Sequence, residues 1–198
     1  MVSQLFATRR WRIRLGVILL QSLLAVPLAR AETYVSFVNR MAATGAAQHA
    51  FQPAIEQHLS SLLNAFRRSK GLSLLGTAPD LQKAARAHAL DMAQHHFMGH
   101  TASTGHDFDS RMRALRSGAM VLPAMGENAS MMAPANGSAA AVAQKLFQEW
   151  IASPPHYHTL VSRDYLRVAT GAVIVDGKAY ADQIFIGPEV VTNMMRAQ

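Results

Sequence analysis

Residues 168–186 read VATGAVIVDGKAYADQIFI, and this stretch decides the fold class. Two β-rich runs, 168–175 and 179–186, flank Asp176-Gly177. That dipeptide supplies the turn of a tight hairpin, so the runs predict an antiparallel pair of strands. Upstream the pattern is helical, with no strand–helix–strand alternation before the hairpin. Helices first and a hairpin last predict an α+β fold with an antiparallel sheet.

Working back from the hairpin, residues 139–151 carry Val142, Leu146 and Trp150 on one side and predict a helix. Ser153-Pro154 then reads as an N-cap followed by proline in the first turn of another short helix. Residues 118–137 hold several Gly and Pro and few helix signals, and read mostly as loop. Residues 108–115 form a short amphipathic segment with Arg111 and Arg113, preceded by a polar loop over 99–107. Leu81, Ala84, Ala85, His88 and Met92 make a narrow, small-residue face on a helix that ends near His95 or His96. Thr77 reads as its cap, with Asp80 three residues on and Pro79 in the first turn. Ile55, Leu59, Leu62, Leu63 and Phe66 recur at helical spacing, and Gly71, just past Arg67, Arg68 and Lys70, stops that helix. Residues 32–52 are alanine-rich and read either as a short leading helix or as a loose arm.

The 198-residue chain is 50% hydrophobic and 16% charged, which excludes a disordered protein. Its net charge of +7 suggests nucleic acid, but Arg9, Arg10, Arg12, Arg14 and Arg30 all fall within residues 1–31, where there is no acid. Setting those five charges aside leaves +2, with Lys and Arg dispersed among Asp and Glu. No basic stripe remains, and no nucleic-acid partner is expected. Residues 1–31 have the layout of a secretory signal: a basic region ending at Arg14, an apolar run over 15–28, and the small-residue site Ala29-Arg30-Ala31. Cleavage after Ala31 would leave a secreted or periplasmic protein that begins at Glu32. The apolar run is shorter than the roughly twenty residues of a membrane span. Gln21, Ser22 and Pro27 break it, and no span is expected after signal removal. Thr8-Arg9-Arg10 carries the pair of twin-arginine export, although Arg12 stands where that signal favours an apolar residue. The absence of cysteine rules out a disulfide framework and a thiol nucleophile.

Nine histidines raise the question of a metal. His96 and His100 have the spacing of a helical zinc pair, but the glutamate of His-Glu-x-x-His is missing and Gly99 falls where the helix should fail. His95 and His96 read better as last-turn groups that complement the helix dipole, and His88 as a packed residue. The sequence contains no Gly-x-Ser-x-Gly elbow, Ser-x-x-Lys pair or phosphate-binding glycine loop. What remains is His100, Glu127 in Gly126-Glu127-Asn128, and His156 in Ser153-Pro154-Pro155-His156. Two neutral imidazoles and a carboxylate make a partial shell for a divalent cation such as zinc. Each residue also has an ordinary structural reading. Glu127 can accept from loop backbone, His156 can cap the helix begun at Ser153, and Asn128 can satisfy a loop corner.

Taken in order, several motifs resemble the CAP superfamily, or SCP domain, which includes cysteine-rich secretory proteins, insect venom antigen 5 and plant pathogenesis-related proteins. They are His100-Thr101 with Gly105, Phe108-Asp109-Ser110-Arg111-Met112, Gly126-Glu127-Asn128, and Trp150-Ile151-Ala152-Ser153-Pro154-Pro155-His156. Asn64 and Arg67, the alanine-rich helix, and Gln183-Ile184-Phe185 match as well, and bacterial members look most similar. The resemblance implies a three-layer α/β/α sandwich around a central, mostly antiparallel sheet. It also implies a cavity lined by His100, His156 and Glu127 that holds a divalent cation in some members. Ser153 stands where many eukaryotic members carry a second cavity glutamate, which predicts weaker cation binding. Met98-Gly99 replaces a more usual aromatic-serine pair, and Pro155 a more usual glycine. The expected organisation is a signal peptide over 1–31, an N-terminal extension over 32–52, the CAP domain over 53–187 and a tail over 188–198. Two functions stay open. One is a non-catalytic binding module for lipid, glycan or an envelope protein. The other is a hydrolase, metal-assisted or using His100, Glu127 and His156, that acts on an extracellular peptide, ester or glycan. The missing second carboxylate and nucleophile favour the binding module.

Overall fold

The computed structural model of the chain describes residues 32–119 and 121–189. The expected signal segment and the tail beyond 189 lie outside the described residues. The elements run α1 (Tyr34–Ala47), α2 (Pro53–Ser69), β1 (Gly76–Thr77), α3 (Pro79–His95), α4 (Phe108–Leu115), β2 (Met125–Met132), α5 (Ala139–Ala152), α6 (Pro154–Val161), β3 (Arg167–Val175) and β4 (Lys178–Ile186). The strands form one sheet in the order β1-β3-β4-β2, antiparallel except for the short β1–β3 pairing. Helices α1, α3 and α4 cover one face and α2, α5 and α6 the other, an α/β/α sandwich.

The hairpin forms as its sequence predicts. β3 and β4 meet at Asp176 and Gly177, whose φ angles of 49° and 70° are the positive pair that this turn demands. The sheet differs from expectation at β2, which lies within the stretch 118–137 that the sequence predicts to be mostly loop. MGENASMM contains no β-branched or aromatic residue. It is a strand because β4 offers it a full ladder, from Met125↔Ile186 to Met132↔Ala179, and that pairing overrides weak local propensity.

One capping expectation also needs correction. Thr77 does not cap α3: Gly76-Thr77 is committed to β3, the Ala78 N–H donates to the Val168 carbonyl at 2.9 Å, and Ala78 takes the cap position without a side-chain bond. Ser153 does take the N-cap position of α6, with Pro154 in its first turn as expected, although its hydroxyl makes no capping bond. Of the two readings of residues 32–52, the helix is the one observed. Thr33 caps α1, and Tyr34, Phe37 and Met41 pack against Leu90 and Met92 of α3 in one cluster.

Helix α3 is buried almost all round rather than along one narrow face, because α1 packs on it away from the sheet. Its alanines let it lie very close to β3. A Cβ on Gly171 would run into the α3 backbone at Ala85 and Arg86. On the opposite face Trp150 is fully buried, edge-on to Phe147. There Arg67, also buried, donates to the carbonyls of Ser73, Leu160 and Ser162 at 2.8–2.9 Å and so closes the end of α6. Asn64 brackets Leu75 through both its N–H and its C=O.

The close approach at Gly171 is testable. Gly171→Ala forces a methyl into backbone that has no flexible side chain to move aside, and should cost about 2–3 kcal/mol in urea unfolding. An unchanged unfolding midpoint would show that α3 can retreat from the sheet.

Candidate functional site

The three candidate residues come from three places that meet at β2, an edge strand. Register assigns the sides. Glu127 lies opposite Ile184, on the face covered by α3 and α4, whereas Asn128 lies opposite Gln183, on the α5–α6 face. His100 reaches the edge from the loop after α3, and His156 from the first turn of α6.

The end of α3 is set by His96, which adopts the left-handed conformation with φ 55° and ψ 42°. His96 and His100 therefore share no helical face, and their spacing carries no zinc pair. His95 pairs with buried Asp91 at 2.8 Å, and Asp91 also accepts from the Ser103 N–H at 2.8 Å and hydroxyl at 2.5 Å. His88, fully buried, bonds the Gly99 carbonyl at 2.8 Å through Nε2. Burial, and then the nearby Arg111 charge, push His88 down, so it stays a neutral brace. Together these contacts fix the loop that carries His100.

Glu127 is nearly inaccessible to solvent, and both of its oxygens are engaged. Nη2 of buried Arg111 lies 2.6 Å from Oε1 and 2.7 Å from Oε2, and also donates to the His100 carbonyl at 3.0 Å. Oε2 accepts from His100 Nδ1 at 2.8 Å. An ionised carboxylate can only accept, so Nδ1 carries the proton and, in the neutral ring, Nε2 is left as the acceptor. The His100 and His156 rings stand 5.9 Å apart, edge to face. Asn128 is buried and donates to the His156 carbonyl at 3.1 Å, the structural role its position suggested.

Burial alone would raise Glu127, but Arg111 and the His100 hydrogen bond outweigh it and hold the carboxyl at about 2. His156 is pushed down by partial burial and by its neighbour His100, which favours a neutral ring. Burial works against the charge on Arg111, but the Glu127 carboxylate beside it keeps it protonated. Asp182 takes the opposite course: complete burial and the Glu127 charge drive it well above the usual carboxylate range. Burial lifts the Tyr34 hydroxyl to about 12. Among the described residues, Arg111 Nε and Nη1, both Asp182 oxygens and the Tyr34 hydroxyl are buried side by side with no partner at hydrogen-bonding geometry.

Arg111 and Asp182 are the residues that sequence reasoning did not single out for the site, although a signal was available. Phe108, Arg111, Met112 and Leu115 occupy the i, i+3, i+4, i+7 face of α4, so an arginine stands on the face that carries the apolar residues. In β4, Asp182 alternates with Tyr180, Ile184 and Ile186, so a carboxylate stands in an inward-facing series.

As donors to a cation, His100 and His156 supply two imidazoles, and His100 is oriented by a carboxylate as metal-bound histidines usually are. Glu127 cannot serve equally well as a direct ligand, since Arg111 already neutralises it. Among the described residues no group of three or more His, Asp or Glu side chains forms a metal shell. The two imidazoles are the groups that could hold a divalent ion, and by themselves they make only part of a shell.

Residues 61–188 match the CAP family of cysteine-rich secretory proteins. No curated protein matches the chain. Among solved structures, the fold is similar to an extracellular protein containing an SCP domain from Bacillus anthracis. The TM-score is 0.55 at 20% identity over 69% of this chain, and the chain spans only 41% of that protein's length. An outer surface protein from Borrelia burgdorferi matches with a TM-score of 0.55 at 16% identity, covering 67% of this chain and 92% of that one.

Asp182 gives the site a measurable pH signature. A carboxyl raised in the folded state ionises more readily in the unfolded chain, so its contribution to stability is greatest at low pH and falls as pH rises past its unfolded value of 3.8. Asp182→Asn removes that penalty. The variant should be more stable than the parent at about pH 7 in urea unfolding, with the difference shrinking toward zero near pH 4. A variant less stable than the parent at neutral pH would mean that Asp182 is ionised in the fold.

Proposed function

The chain belongs to the CAP family of cysteine-rich secretory proteins, and on that footing we propose that it is an exported, non-catalytic binding module. Its His100–His156 edge takes a divalent cation such as zinc weakly, and presents it, or the bare imidazoles, to a lipid, glycan or protein of the cell envelope. Export is supported by the signal-like residues 1–31 and by the extracellular and outer-surface character of the two structural neighbours.

The observation that carries this reading is the state of Glu127. A carboxylate held at about 2 and bound on both oxygens by Arg111 and His100 is a poor general acid or base near neutral pH. Its work is to orient His100 so that Nε2 is offered outward on a half-exposed ring. A cation bound there would supply a positive, partly open coordination centre. His100 and His156 would hold it, Glu127 would fix the first ring, and Asn128 would fix the backbone that carries the second.

Zinc titration tests this directly. In chelator, His100→Ala and His156→Ala should each leave the melting temperature close to that of the parent, because neither ring is fully buried. Added zinc should raise the melting temperature of the parent by mass action and leave both variants unmoved. No zinc response in the parent, or turnover of a peptide, ester or glycan that Glu127→Gln abolishes, would contradict the proposal.

A further inference from the structure

Away from the histidine edge, a cleft of about 670 Å³ opens between α2 and α3 above β3. It exists because β1 is only two residues long. Beyond Val168 the outer edge of β3 has no strand beside it until the bridge from Phe51 to Val173. Side chains fill the gap in the ladder. The Glu56 Oε1 accepts from the Ala172 N–H at 3.2 Å, as a neighbouring strand's carbonyl would, and the Gln82 amide donates to the Thr170 carbonyl, as a neighbouring N–H would. Arg86 then locks Glu56 from the other side through Nε at 2.8 Å and Nη2 at 2.6 Å.

These bonds make a rigid, polar floor. Glu56 is nine-tenths buried and Thr170 is buried, with Ser60 and Thr170 hydroxyls 3.1 Å apart. The Thr170 carbonyl and both backbone groups of Ala172, which an added peptide strand would use, are already taken, so the cleft does not recruit one. What it offers is side-chain hydrogen bonding from hydroxyls and amides, including Gln57 and Ser61 on its rim. Glu56 and Arg86 cancel in charge. Arg68, exposed on the same wall, makes no ion pair among the described residues and leaves the cleft one positive charge. A polar floor, hydroxyl and amide walls and a single guanidinium match a polyol that carries one anionic group. The volume lies within the range of about 300–1,000 Å³ usual for small-molecule sites.

We infer that the α2–α3 cleft is a second binding site, for a sugar bearing a carboxylate or phosphate group, with Arg68 as the residue that selects the charge. It is independent of the histidine edge. The test is titration of the ¹⁵N-labelled protein with glucuronate, glucose 6-phosphate, glucose and inorganic phosphate. Both anionic sugars should shift backbone amides within residues 57–68 and 82–86, and whichever binds more tightly identifies the anionic group. Glucose should bind about tenfold more weakly, the loss of one charge-assisted contact. Inorganic phosphate alone should bind more weakly than either anionic sugar. Arg68→Gln should bring the anionic sugars down to the level of glucose, while His100→Ala should leave their binding unchanged. The inference is overturned by the absence of any shift, by shifts confined to the His100 edge, or by glucose binding as well as glucuronate. Phosphate binding as well as glucose 6-phosphate, or an Arg68→Gln variant with undiminished affinity, would overturn it equally.

Discussion

A guanidinium with no access to water governs the histidine edge. Arg111 gives up its hydration inside the fold, a cost of several kcal/mol that only close anionic partners can offset. One of its nitrogens spans both oxygens of Glu127 and also ties down the His100 carbonyl. That single donor joins three separate pieces of chain: α4, the edge strand β2 and the loop after α3. Removing one member of a buried pair typically costs about 3–5 kcal/mol, because the other is left charged and unpaired. The arrangement thus buys little net stability but fixes which way the first histidine ring faces.

The same economy recurs along the sheet. Where a strand is missing or an edge is open, side chains complete it: Glu56 and Gln82 serve the outer edge of β3, and the loop and α6 close over β2. On the buried side, Gly171 lets α3 sit nearly on the strand. With α3 in that place, Asp182 on the neighbouring strand is shut away from water beside Glu127, and the two carboxyls diverge. Glu127, with Arg111 against it, stays ionised; Asp182, with Glu127 near it, resists ionising. Environment, not residue type, assigns the roles.

Much of the fold was legible because its signals are local. The Asp176-Gly177 turn, the apolar periodicity of α2 and α5, and the resemblance that runs from about residue 53 to 187 all point the same way. Strand β2 was illegible because nothing in MGENASMM favours a strand until β4 lies beside it. Thr77 misled because a threonine before a helix can either cap it or join a sheet, and only the partner strand decides. At the site, the meeting of His100, Glu127 and His156 depended on resemblance, since no spacing in sequence encodes convergence. Arg111 carried its own clue, a charge on the apolar face of a short helix, but its partner could be named only once β2 had been placed.

The central claim is that Arg111 and Glu127 hold the His100 ring in one orientation and one tautomer. Long-range ¹H–¹⁵N NMR of the histidine rings reads this directly, because the protonated and bare ring nitrogens resonate far apart. The account predicts that neutral His100 carries its proton on Nδ1, bonded to Glu127, and leaves Nε2 bare. A neutral His100 protonated on Nε2, or exchanging freely between the two forms, would contradict it.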